Sequence, residues 1–234
     1  MDALKVDGWW RRASRLLLTP RCLICRERGC NGRDLCASCF GRLPWNPSAC
    51  LRCGLPMPAP GTCGDCLRNP PALAETRAVF VYGFPLDRLV PRFKFHRDLA
   101  AGRLMADLMA GALASAPRPD ALVPVPLHGR RLRQRGYDQA LELARPLAAA
   151  LALPVRADLL QRIRATAPQS ELDAGQRRRN LARAFTVADQ AAPPAHVALV
   201  DDVMTTGATL EAAARALTAA GVERVDAWVC ARVP

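Results

Sequence analysis

Four Cys-x-x-Cys pairs crowd into residues 22–66: Cys22/Cys25, Cys36/Cys39, Cys50/Cys53 and Cys63/Cys66. Ten residues separate the first two pairs and nine the last two, so the unit reads as a repeat. Zinc takes four soft ligands in a tetrahedron, and a Cys-x-x-Cys turn offers two thiolates at little chain cost. Four pairs therefore predict two closed four-cysteine sites, a tandem zinc ribbon with two structural ions. Sequential pairing is preferred over a cross-braced one. Disulfides would need an oxidising compartment that nothing in the chain indicates, and a redox motif needs no fourfold repetition. A site closed by four thiolates has no open position for metal catalysis. Gly54 and Gly64 each follow a ligand and are expected to let backbone amides turn towards sulfur. Cys30 reads as a spare thiol and Cys230, alone in an apolar C-terminal stretch, as a core residue.

The cysteines also divide the chain. Residues 19–71 are rich in Cys, Pro and Gly and lack a period long enough for a core, so this part needs staples to fold. Residues 1–18 form an N-terminal extension. Residues 72–234 alternate short apolar strands with Ala/Leu-rich helical stretches. Ala78–Tyr82, Ala121–Val125, Val197–Val200 and Val225–Val229 read as strands; Asp98–Ala114, Gln139–Leu151 and Ala208–Ala220 read as helices. Continuously apolar strands suit a parallel sheet covered on both faces, and the alternation predicts an α/β domain. The polar, Arg-rich stretch from Leu160 to Leu181 lacks a clean period and reads as a long mobile loop.

No apolar run approaches the roughly 18 residues of a membrane helix; the longest, Leu147 to Val155, is interrupted by Pro154. No cleavage site follows the Leu16–Leu18 patch, so a cytoplasmic protein without membrane insertion is expected. The formal charge is +12, with 31 Arg to 2 Lys. Two zinc ions on eight thiolates would lower it to about +8. Such a surface attracts phosphate-bearing partners, nucleotides or nucleic acid.

The most informative stretch runs from His196 to Leu210: a buried strand ending in Asp201 and Asp202, a loop of Thr205, Thr206, Gly207, Ala208 and Thr209, then a helix. Loop amides and the helix N-terminus offer N–H donors and a positive dipole to one phosphate. The threonines add hydroxyl donors, Gly207 allows close backbone approach, and the two acids can accept from neighbouring sugar hydroxyls. The combination describes a ribose 5-phosphate site. The GxxxxGK[ST] pattern of triphosphate-binding loops is absent from the chain.

This stretch resembles the phosphoribosyl-pyrophosphate (PRPP) signature of type I phosphoribosyltransferases. The whole chain from about Cys22 resembles the ComF family of bacterial competence-associated proteins, a double zinc ribbon followed by such a domain. The resemblance includes Val123–Leu127, Arg135–Ala140, Gln169 with Arg179–Leu181, and Asp201–Thr209. Asp138 departs from the Asn usual there, and Tyr137 replaces Phe. The resemblance implies that the Pro124–Arg130 turn meets pyrophosphate, served by Arg130, Arg131, Arg133 and Arg135. It also implies that Leu160–Leu181 is a lid carrying Gln169, Arg178 and Asn180. Arg130, Arg135 and Gln169 are the catalytic candidates, with magnesium and PRPP as cofactor and ligand. Lys94, His96 and His128 are further candidates for the site.

Two functions follow. One is a magnesium-dependent phosphoribosyl transfer to an unidentified acceptor. The other is a non-catalytic module that binds PRPP, another phosphoribosyl ligand or single-stranded DNA. By resemblance it would support natural transformation beside a competence helicase or a recombination mediator. Aromatics are few and not interleaved with the Arg clusters in sequence, so no base-stacking platform is evident. Trp9, Trp10 and Trp45 are expected to anchor the zinc region on the α/β domain.

Overall fold

The computed structural model describes residues 20–164, 184–188 and 193–234. Residues 20–74 are mostly turns and isolated bridges, with two five-residue helices, α1 (Ala37–Gly41) and α2 (Gly64–Arg68). The rest follows the order β1 (Glu75–Val81), α3 (Leu86–Phe95), α4 (Leu99–Leu113), β2 (Ala121–Pro124), α5 (Gly129–Arg135) and α6 (Gln139–Leu151). Then come β3 (Leu160–Arg162), β4 (Phe185–Val187), β5 (His196–Met204), α7 (Ala208–Ala219) and β6 (Arg224–Arg232). Four strands form one parallel sheet in the order β1-β6-β5-β2.

The apolar strands are covered on both faces, because successive side chains point to opposite sides. On β5, Ala198 and Val200 join a core with α3, α4 and α6. Val197 and Leu199 join a second core with Leu210, Ala213, Ala214 and Leu217 of α7. Helix starts are set by capping carboxylates: Asp98 accepts from Ala101 N at 3.1 Å and Asp138 from Leu141 N at 3.2 Å.

Two expectations are corrected here. The strand expected to end at the acid pair continues to Met204, because Asp201–Met204 keep pairing in register with Val229–Arg232 of β6. The loop expected from Leu160 begins as a strand instead. Leu160–Arg162 pair antiparallel with Phe185–Val187, since Leu160 and Phe185 have an apolar core to enter. Gln169, Arg178 and Asn180, like Trp9 and Trp10, lie outside the described residues.

The cysteine-rich region covers the sheet edge. Asn46 N donates to Val79 O at 3.0 Å, Val81 N to Pro44 O at 2.8 Å and Thr76 N to Leu51 O at 2.8 Å, so the open side of β1 is satisfied. Trp45 packs at 4.7 Å between ring centroids on buried Phe80, as an anchor should, and meets Phe40 at 5.6 Å. Among the described residues no helix is long and apolar enough to cross a membrane.

Candidate phosphate site and zinc clusters

The eight cysteines gather as two groups, Cys22/Cys25/Cys36/Cys39 and Cys50/Cys53/Cys63/Cys66, so the pairing is sequential. None forms a disulfide. In each group all four sulfurs lie within 4.8 Å of one another. Cys25 and Cys36 Sγ are 3.6 Å apart and Cys53 and Cys63 Sγ 3.8 Å apart. Zinc–sulfur bonds of about 2.3 Å in a tetrahedron set sulfurs about 3.8 Å apart, so both groups fit the ion. Amides also face sulfur: Cys39 N donates to Cys36 Sγ at 3.4 Å and Cys63 N to Cys50 Sγ at 3.2 Å. Burial pushes the Cys22 and Cys50 thiols up, but backbone N–H donors outweigh it and draw both down to about 6. Gly54 is left-handed (φ +68°): its own amide bonds Cys50 O, and the turn aims the next amide, that of Leu55, at the Cys53 sulfur. Cys30 Sγ donates to Leu35 O at 3.2 Å, and Cys230 is fully buried.

At the carboxyl end of β5, where ligands of α/β sheets bind, Asp202 is 5% exposed and Asp201 half-buried. Lys94, from α3, reaches Asp202 Oδ1 at 2.9 Å. Asp201 Oδ1 accepts from Asp202 N at 2.8 Å, and Asp202 Oδ1 from Val203 N at 2.6 Å. Burial, then the neighbouring Asp202 charge, raises Asp201 to about 7. Lys94 lowers it and Asp138 raises it further. The strand then runs into exposed Thr205 and Thr206, and Gly207 turns left-handed (φ +78°) to start α7. A Cβ at Gly207 would sit 2.4 Å from Met204 Cε. No side chain caps α7 at Gly207; Ala208 N alone reaches Thr206 Oγ1, at 3.4 Å. Its first-turn amides thus add partial positive charge beside the threonines.

The loop after β2 lies beside β5 through Val125 N to Val200 O at 3.0 Å. Asp138, the departure from the usual Asn, holds this loop: Oδ2 accepts from Leu127 N at 2.9 Å while Oδ1 caps α6. The expected Pro124–Arg130 turn passes directly into α5, which His128 opens by accepting from Arg130 N on Nδ1 at 3.3 Å. Arg130 is exposed and Arg131 half-buried. Arg135 donates to buried Gln139 Oε1 at 2.9 Å and lies 5.4 Å over the Phe95 ring. His96 is exposed and ends α3. No separate signal in the chain marks Arg162, which lies in the Arg-rich stretch from Leu160. Arg162 packs 5.4 Å over the Phe185 ring, and burial, then the Arg131 charge, lowers its guanidinium pKa while Asp201 raises it.

Residues 13–67 match the double zinc ribbon domain and residues 138–234 the phosphoribosyl transferase domain. DNA utilization protein YhgH of Salmonella typhi is 36% identical over 90% of this chain and 96% of its own. Competence protein F of Haemophilus influenzae is 36% identical over 91% and 96%. Competence protein ComFC of Bacillus subtilis is 28% identical over 80% and 79%. The chain belongs to the ComF family of competence and DNA-utilization proteins.

Proposed function

We propose that the chain binds PRPP or a related phosphoribosyl ligand at the carboxyl end of β5. Asp201 and Asp202 accept from the ribose hydroxyls, and Thr205, Thr206, Gly207, Ala208 and Thr209 hold the 5-phosphate. The observation that carries this reading is the passage from an acid pair, with Asp202 buried and Asp201 half-buried, into an uncapped, threonine-flanked helix start. Lys94 holds Asp202 in place as an acceptor. The loop held by Asp138 and the guanidiniums of α5 stand on the pyrophosphate side, with Arg130 and Arg131 as donors; bidentate forks suit phosphate. Arg135 is already engaged with Gln139 and Phe95, so its part is to brace α5. Magnesium bound with the pyrophosphate would offset charge on the leaving group, and the crowding of Asp201, Asp202 and Asp138 fits a nearby cation. Transfer to an acceptor is the enzymatic form of this reading.

Calorimetric titration with magnesium-PRPP tests it, wild type beside Asp202→Asn. Micromolar binding that the variant loses supports the site; absence of binding in the wild type refutes it. Acceptors are then screened for pyrophosphate release that depends on Asp202.

A second reading concerns DNA. The relatives are named for competence and DNA utilization, and on this reading the chain itself handles incoming single-stranded DNA in the cytoplasm, beside a helicase or recombination mediator. One observation favours it. Among the described residues no carboxylate pairs with Arg97, Arg130, Arg131, Arg133 or Arg135, and Phe95, 65% exposed, lies under Arg135. The fold thus brings together the aromatic and basic groups that are separate in sequence. Salt-dependent binding of single-stranded DNA that is insensitive to Asp202→Asn would support this reading.

A further inference from the structure

Arg232, at the end of β6, is only 7% exposed. Its Nε donates to Cys53 O at 3.0 Å, and its Nη1 donates to Met204 O at 3.4 Å and to the carbonyls of Thr205 and Val233. Cys53 belongs to the second cysteine cluster. Met204 and Thr205 are where β5 turns into the Thr/Gly loop. One side chain therefore touches both.

A buried guanidinium surrounded only by carbonyls is costly unless an anion compensates it. Among the described residues no carboxylate pairs with Arg232. Cys53, which accepts from Arg232, and Cys63 and Cys66, which share a groove wall with it, make the second cysteine cluster the neighbouring group able to carry negative charge. Four thiolates around one zinc leave that cluster with a formal charge of about −2. Between cluster and loop lies a groove of about 850 Å³, with Cys63, Cys66, Thr206, Gly207, Glu211 and Arg232 on its walls, so close packing does not join them. The first cluster is attached differently: Cys22 and Cys39 enter the helical core, and Arg92 donates to Leu23 O.

We infer that Arg232 is a positioning residue. It is the counter-ion of the second zinc–thiolate cluster and, through the Met204 and Thr205 carbonyls, fixes the start of the Thr205–Thr209 loop. Loss of the second zinc then loosens the loop, whereas loss of the first does not. A lysine keeps the charge but lacks the fork needed to serve both sides at once. That the loop holds a phosphate rests on the reading above; the coupling of cluster to loop does not.

The test compares full-length, zinc-loaded wild type with Arg232→Lys and Arg232→Ala. Release of the two zinc ions to a chromogenic chelator is followed, with Cys63→Ser identifying the second. Hydrogen exchange is read in the peptide spanning residues 203–210. Arg232→Lys is expected to release the second zinc about tenfold faster, leaving the first unchanged, and to speed exchange in that peptide. Wild type stripped of the second zinc alone should show the same faster exchange. The inference is overturned if Arg232→Lys keeps wild-type release of both ions, or if loss of the second zinc leaves the loop's exchange unmoved. Should Arg232→Ala fail to fold, the lysine variant and the stripped wild type still decide. Ribose 5-phosphate binding by the wild type is measured separately; its absence would overturn the phosphate reading and leave the coupling intact.

Discussion

In the cysteine-rich region the two helices have five residues each and hold one buried residue apiece, Cys39 and Cys66. In the α/β domain, α4 alone buries nine residues and β6 buries eight of its nine. The difference teaches what holds each part. The first depends on four-sulfur clusters and on the sheet edge it covers, because short turns cannot recover their ordering entropy from burial. The second is held by two apolar layers and would keep its sheet without metal.

The largest effect should come from removing zinc. Chelation is expected to expose the amides of residues 20–71 to full exchange while β2, β5 and β6 stay protected, since structural zinc supplies folding free energy outright. Single cooperative loss of both regions would break the comparison. The next effect concerns the seam. Phe80 is fully buried against Trp45, so Phe80→Ala should cost about 3–5 kcal/mol in urea unfolding. Trp45→Ala should cost less, because Trp45 is 36% exposed. Equal costs would mean that the ribbon contributes as much to the seam as the sheet does.

The smallest effect is electrostatic and confined to the site, because Asp201 is only half-buried and solvent screens its charge. Burial and then Asp202 hold the Asp201 carboxyl at about 7, above its ordinary 3.8, so between those values the folded state keeps a proton that the unfolded state has lost. Stability of the ligand-free protein should therefore fall as pH rises from about 4 to 7 and level off above. Denaturant titrations across that range should show this slope in the wild type and a weaker one in Asp201→Asn. An identical slope in both would remove Asp201 as its source.

Local signals in the chain are strong where the fold depends on near neighbours. Asp98 and Asp138 mark the starts of α4 and α6 because a capping carboxylate bonds an amide three residues on. The apolar run of β5 and the Thr/Gly stretch after it read directly as strand and helix entry. The strand's true end at Met204 was hidden, since carboxylates are poor strand formers and only the pairing with β6 carries them. Helix α5 was hidden as well, because its seven residues bury nothing and leave no period to read.

By itself the sequence determined the metal chemistry, the α/β class and the order of acid pair, loop and helix, all set by spacing along a few turns of chain. Tertiary structure alone decided that Lys94 faces Asp202, that Phe95 lies under Arg135, and that Arg232 reaches Cys53 across 179 residues. Such contacts follow from which faces bury against which. That choice depends on the path of the whole chain, so no local pattern records it.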